Sequence, residues 1–152
     1  MKTIFIDLDN TLAANETCDN VDFTKGLYYN KKPIHIVIDA IEYLYKKENL
    51  IIISVYSGGW NGRQEKIEWI RKYLPNCMKK NAPFLIDYQD TRTKADFIKN
   101  YAINNHINLE DCIIIDDKKR ILQECKKEGI QALYPQQVIC MYEELKVIVE
   151  ND

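Results

Sequence analysis

The sequence predicts an α/β fold: a doubly wound, mostly parallel sheet with helices on both faces. Three observations lead there. The runs Ile4-Phe5-Ile6, Leu50-Ile51-Ile52-Ile53 and Cys112-Ile113-Ile114-Ile115 are apolar throughout, as strands buried on both faces are. Segments with apolar residues at helical spacing alternate with them, the pattern of successive β-α units. Each run ends in polar residues, Asp7, Ser54 and Asp116-Asp117. That is the edge of an open parallel sheet where ligands bind.

Taken in order, residues 2–8 read as the first strand. Residues 13–32 read as polar and irregular, too short for a cap domain, and at most a flap over the site. Ile34, Val37, Ile38, Ile41, Leu44 and Tyr45 recur at helical spacing, with Pro33 suited to a first helical position. Leu50–Ile53 is a buried strand ending in Ser54, and a Gly-rich loop follows from Ser57 to Gly62. Residues 63–74 are predicted helical, with Pro75 as their stop. A short strand is expected over 83–87. Thr93-Lys94-Ala95-Asp96 is a capping-box start for a helix to about Asn105. Cys112–Ile115 is the next buried strand. Residues 118–128 form a helix closed by Gly129, residues 130–134 a last strand, and 139–149 a short amphipathic helix. The expected organisation is one domain over residues 1–152.

Composition narrows the function classes. Of 152 residues, 46% are hydrophobic and 29% charged, which is globular and not disordered. The net charge of −2 supplies no basic field to recruit nucleic acid or membrane. Five cysteines, an odd number without a Cys-x-x-Cys, suggest neither a disulfide framework nor a zinc site. They fit reduced packing residues in a cytoplasmic protein. The first apolar run starts at once and ends in acid, so no signal peptide is expected, and no stretch is long enough to span a membrane.

The chemistry sits at the strand ends. Asp7, Asp9 and Thr11 follow Ile6 at alternate positions, and carboxylates at the end of a buried strand need a cation or a reaction to justify them. Asp116 and Asp117 bring a second acidic pair to the same rim. Either could cap the helix from 118, but the four carboxylates together suit an oxygen-only, partly hydrated shell for Mg2+. Lys94 stands at a helix start, where the dipole favours anions. It makes sense there if it faces carboxylates and a phosphate.

In this order, Asp7-x-Asp9-x-Thr11, strand-end Ser54, Lys94 and Asp116-Asp117 resemble the four motifs of the haloacid dehalogenase-like phosphohydrolases, from residue 3 to about 134. The resemblance implies that Asp7 is the nucleophile, forming an aspartyl-phosphate. It implies that Asp9 protonates the leaving oxygen and then activates water, and that Thr11 supports the loop. Ser54 would hydrogen-bond a phosphoryl oxygen, and Lys94 would balance charge between Asp7 and the phosphate. Asp7, Asp116, Asp117 and the backbone carbonyl of Asp9 would seat Mg2+. An aspartate at position 9 implies a phosphatase; the ion-pump branch carries threonine there.

Gly26–Pro33, Leu50–Ser54 and Glu65-Lys66-Ile67-Glu68-Trp69 are similar to small 5′(3′)-deoxyribonucleotidases, in which a Lys-x-x-Trp pair follows the second motif. That alignment selects Ser54. Ser57 is the alternative if the strand runs on to Tyr56. Asp90–Lys94 and Ile115–Arg120 look more like the 3′-phosphatase domain of polynucleotide kinases. The expected substrate is a small phosphomonoester, nucleotide-like as first choice. A 3′-phosphorylated nucleic acid end, a sugar phosphate, or a catalytically silent phosphate-binding or scaffold subunit stand as rivals. Tyr28, Tyr29 and Trp60 are placed near the mouth, where an aromatic ring can stack on a base or pack loop onto core. Trp69 is expected in the core, and Lys31-Lys32 and Lys118-Lys119-Arg120 on solvated helix ends.

Overall fold

Ile4, Phe5 and Ile6 are completely buried, and their alternation builds the two halves of the core. Ile4 and Ile6 face one side and Phe5 the other, as successive strand residues must. The computed structural model describes residues 1–151. In chain order the elements are β1 (Thr3–Ile6), β2 (Ala13–Thr17), β3 (Lys31–Pro33), α1 (His35–Leu44), β4 (Asn49–Tyr56) and α2 (Gly59–Tyr73). They continue with α3 (Pro75–Lys80), β5 (Phe84–Asp87), α4 (Lys94–Asn104), a 3-10 turn (Leu109–Asp111), β6 (Cys112–Ile115), α5 (Lys119–Lys127), β7 (Gln131–Leu133) and α6 (Pro135–Asn151).

Five strands form one sheet in the order β5-β4-β1-β6-β7, and every pairing in it is parallel. The chain winds outward from β1 first to β4 and β5, then returns to β6 and β7 on the other side. That reversal places the switch point of the sheet at β1, where a crevice opens beyond the strand ends. Register aligns those ends: Ile6 lies opposite Ile52 of β4 and Ile115 of β6. Ile4, Ile6, Val37, Ile41, Trp69, Ile70 and Val138 pack one face. Phe5, Ile51, Ile53, Ile98, Ile114, Leu122 and Cys125 pack the other. The doubly wound α/β class expected from the sequence is therefore the observed one. Among the described residues, no helix is long and apolar enough to cross a membrane.

The structure departs from the expected elements in five places. Segment 13–32 is not wholly irregular: β2 and β3 pair antiparallel as a separate two-stranded sheet. Ile34 N–H donates to Leu12 O at 2.8 Å, which fastens its base to the loop after β1. The strand from Leu50 runs on through Ser54 to Tyr56. Helix α2 begins at Gly59, inside the expected Gly-rich loop. A Cβ at Gly62 would collide with Ser57 O, so this first turn requires glycine there. Pro75 ends α2 but also opens α3, consistent with its fitness for a first helical turn. The last helix likewise starts early, at Pro135.

Candidate active site

Strand β1 stops at Ile6, and Asp7 is held at its end by its own N–H, which donates 2.9 Å to Ile115 O across to β6. The chain then turns tightly. Leu12 and Ala13 N–H both donate to Leu8 O at 2.9 Å, and Asn10 takes a left-handed φ of 60°, which asparagine tolerates better than most residues. The turn returns Thr11, fully buried, so that its Oγ1 donates to Asp7 Oδ2 at 3.1 Å.

Lys94 arrives from the opposite side. Thr93 caps α4 through a reciprocal box with Asp96, which fixes the first turn and aims Lys94 inward. Its Nζ donates to Asp7 Oδ1 at 2.8 Å and to Asp116 Oδ2 at 2.7 Å, and its side chain is only 5% exposed. Asp116 is completely buried. Its Oδ1 accepts the Lys118 N–H at 2.9 Å, a turn ahead of α5 and not a helix cap, since the capping position is Lys118 and no side chain caps that helix. Asp7, Asp116 and Asp117 each offer a carboxylate oxygen within 4.8 Å of the others. Asp117 Oδ1 is buried with no hydrogen-bond partner. A hard, oxygen-only donor set with an orphaned carboxylate oxygen fits a divalent cation such as Mg2+.

Electrostatics follow from the ratio of charges. Burial pushes the Asp7 carboxyl up to about 7; Lys94 opposes this and Asp116 adds to it. Burial also works against the Lys94 ammonium, but Asp7 and Asp116 outweigh it and raise its pKa. One ammonium among three carboxylates leaves room for a second cation.

Asp9 lies across a boundary. Its Oδ2 accepts Lys66 Nζ at 2.8 Å and its Oδ1 accepts Lys31 Nζ at 3.3 Å. Burial raises its pKa, but the two lysines outweigh that and hold it below the usual carboxylate value. Lys66 is 5% exposed and also donates to Ser54 Oγ at 2.8 Å and Val55 O at 2.6 Å. Both ammonium groups lie over the Tyr28 ring, at 4.6 Å for Lys31 and 5.0 Å for Lys66. Burial and the Asp9 charge together push the Tyr28 phenol well above its ordinary value. Asp9, Tyr28, Lys31 and Lys66 line a cavity of about 410 Å³, closed further by Leu27, Val55, Ser57, Gly62 and Glu65.

The structure thus brings together Asp7, Thr11, Lys94, Asp116 and Asp117, with Asp9 bound to Lys66 and Lys31 on the wall of the cavity. The two serines occupy different levels. Ser54 is fully buried within β4 and bound by Lys66, whereas Ser57 is exposed just past the strand and lines the cavity. Tyr28 is at the mouth; Tyr29 is not, lying instead beside Lys25 and Lys72. Trp60 is 67% exposed. Trp69 is in the core as expected, its Nε1 donating to Lys31 O at 2.9 Å. Lys118, Lys119 and Arg120 are exposed as expected.

Lys31 corrects its expected place on a solvated helix end, since it lies in β3 and pairs with Asp9. Lys66 had no assigned role, yet a signal exists. It shares one stripe of α2 with Trp69, Ile70 and Tyr73, at spacings of three, four and seven, and a lysine in an apolar stripe must have a buried partner.

No protein-family model and no curated protein matches the chain. Solved structures do. A haloacid dehalogenase-like family hydrolase from Streptococcus pneumoniae matches with a TM-score of 0.59 at 16% identity, over 100% of this chain and 99% of that one. D,D-heptose 1,7-bisphosphate phosphatase from Burkholderia thailandensis matches with a TM-score of 0.52 at 13% identity, over 86% of this chain and 75% of that one. A chain of the Pnkp1/Rnl/Hen1 complex matches with a TM-score of 0.55 at 14% identity, over 88% of this chain but 45% of that one. The chain has the fold of the haloacid dehalogenase-like hydrolases.

Proposed function

We propose that this protein is a Mg2+-dependent phosphomonoester hydrolase that works through an aspartyl-phosphate on Asp7. The observation that carries the reading is the Lys94 bridge between Asp7 and Asp116, with Asp117 beside it and Asp9 facing the adjoining cavity. Asp7, Asp116, Asp117 and the backbone carbonyl of Asp9 would hold Mg2+, which screens the repulsion between an anionic carboxylate and an anionic phosphate. Asp7, oriented by Thr11 and Lys94, attacks phosphorus and displaces the leaving oxygen, which takes a proton from Asp9. Asp9 then removes a proton from the water that hydrolyses the acyl phosphate. Lys94 neutralises charge that builds on the phosphoryl oxygens. The hydroxyl reaching a phosphoryl oxygen is that of Ser54 or Ser57. Ser57 has the free approach, and Ser54 acts only if Lys66 yields it.

Lys66 and Lys31 hold Asp9 as a carboxylate in the ligand-free protein, which is its base form. To act as general acid in the first half-reaction, Asp9 must first take up a proton, from solvent or from a monoanionic phosphate ester, and it does so once the incoming phosphate draws at least one ammonium away.

The substrate class that fits best is a small nucleotide-like phosphate, with segment 13–32 as the flap beside it. A cavity of about 410 Å³ next to Asp9 lies in the size range of small-molecule sites. A sugar phosphate fits the same space. Five unpaired cysteines support a reducing, cytoplasmic setting. The test is phosphate release from nucleoside 5′- and 3′-monophosphates, a 3′-phosphorylated oligonucleotide and sugar phosphates, with and without Mg2+. Release that needs Mg2+ and disappears in Asp7→Asn supports the reading; no release from any of them, or release unchanged by EDTA, contradicts it.

A further inference from the structure

Glu65 stands out because its surroundings lack what a carboxylate needs. It is half-buried on the wall of the cavity beside Asp9. Its Oε1 is buried without a hydrogen-bond partner, and no lysine or arginine among the described residues bridges to it within ion-pair distance. Its neighbour Lys66 is fully committed, with three donors given to Asp9, Ser54 and Val55. The carboxylate is packed against Gly26 of the 13–32 segment so closely that a Cβ there would collide with it. Gly26 has no positive φ that would demand glycine. The atoms that a Cβ at 26 would meet are those of the Glu65 carboxylate, the end of a flexible side chain, so a side chain at 26 would displace it. A buried carboxylate oxygen without a donor is destabilising, and the structure holds it in place under the segment nonetheless.

We propose that Glu65 is a specificity-determining residue: its carboxylate accepts a hydrogen bond from a hydroxyl of the leaving group, and Gly26 keeps the space in which it does so. The chemical class selected is a polyhydroxylated leaving group, the sugar of a nucleotide or a free sugar phosphate. This rests on the proposed phosphatase reading. The cavity supplies the rest of the match. Leu27, Val55 and the Tyr28 ring present apolar surface, while Ser57 and Lys31 present polar groups, a lining suited to a compact ring bearing hydroxyls. Asp9, two residues beyond Asp7, is on the wall of this cavity.

The experiment compares three substrates: adenosine 5′-monophosphate, ribose 5-phosphate and phenyl phosphate, which has no hydroxyl to offer. For Glu65→Ala, the ratio of kcat/KM on the better hydroxylated ester to that on phenyl phosphate falls by about tenfold or more, a charged hydrogen bond's worth, mostly through KM. Gly26→Ala produces the same loss of ratio by displacing the carboxylate. In the double variant the two losses do not add, because no carboxylate remains to displace. Whichever of the two hydroxylated esters loses more identifies the source of the hydroxyl. Equal losses on all three substrates, or additive effects of the two substitutions, overturn the proposal and leave the phosphatase reading standing. A wild-type protein that hydrolyses none of the three in Mg2+ but releases phosphate from a 3′-phosphorylated oligonucleotide overturns this proposal alone; release from no phosphomonoester removes both.

Discussion

Asp7 and Asp9 are two residues apart, and each is held by lysine, yet their environments push them in opposite directions. Asp7 shares a single buried ammonium with Asp116, and burial carries its carboxyl up to about 7. Asp9 has two ammonium groups to itself and a side chain 37% exposed to the cavity, and its pKa is lowered. The same pair of residue types therefore gives two sites with different appetites. The Asp7 side is short of positive charge and suits a metal ion. Asp9 has two ammonium groups within reach, and one of them can turn to a phosphoryl group in transit. The contrast comes from the number of cations per carboxylate more than from burial alone, since burial raises both.

The contrast can be broken from either side. Asp7→Asn removes the proposed nucleophile, and turnover should fall by roughly three orders of magnitude or more while the circular dichroism spectrum is retained. Lys94→Met strands two buried carboxylates at once. The metal-free variant should lose roughly 3–5 kcal/mol in urea unfolding, and Mg2+ should restore part of it. Lys66→Met leaves Lys31 on Asp9 and deprives Ser54 Oγ and Val55 O of their donor. A loss of roughly 1–3 kcal/mol is expected, smaller than for Lys94; a larger loss would mean that the Asp9 side is the stiffer half.

A pH series sharpens the same comparison. A carboxyl raised from 3.8 to about 7 in the folded state favours folding most below pH 4, and that contribution is lost as pH rises through 7. Without divalent ions, the Tm of Asp7→Asn should therefore gain on the wild type between pH 4 and 7. Asp9 has the opposite sign, so Asp9→Asn should fall behind the wild type as pH rises above its depressed folded pKa. The smallest effect concerns the thiols. Burial pushes Cys77 up to about 11 and Cys125 up to about 12, while Cys140 is exposed. Native labelling at pH 8 should modify Cys140 before either.

The two sides also differ in how far the amino-acid sequence revealed them. Asp7, Asp116 and Asp117 were legible because they follow β1 and β6, strands whose apolar runs are buried on both faces, and Lys94 because the Thr93–Asp96 capping box marks the start of α4. Fold class was legible for the same reason. The Asp9 side was not, because its partners come from elements with weak signals. The β2 sequence AANET and the β3 sequence KKP contain almost nothing that favours a strand. They pair because the tight turn after Asp7 buries Leu12 and Ala13 and tertiary contact overrides propensity. From sequence alone Lys31 therefore reads as a helix end. Pro75 marked a real boundary but not the helix it opens, since proline ends one helix and begins another with equal ease. Residues 59–62 lack apolar periodicity, so the first turn of α2 gave no helical signal, and the position of Ser57 at its entrance could not be set apart from that of Ser54.

The central claim is that Asp7 carries the phosphoryl group during turnover. Rapid acid quench of the Mg2+-loaded enzyme with substrate, followed by peptide mapping by mass spectrometry, tests it directly. The account predicts a phosphorylated peptide with the modification on Asp7, absent in Asp7→Asn, and accumulating in Asp9→Asn with an ester such as p-nitrophenyl phosphate, whose leaving group needs no acid and so leaves only the second half-reaction slowed. Turnover with no covalent phosphate, or with phosphate on another residue, would contradict it.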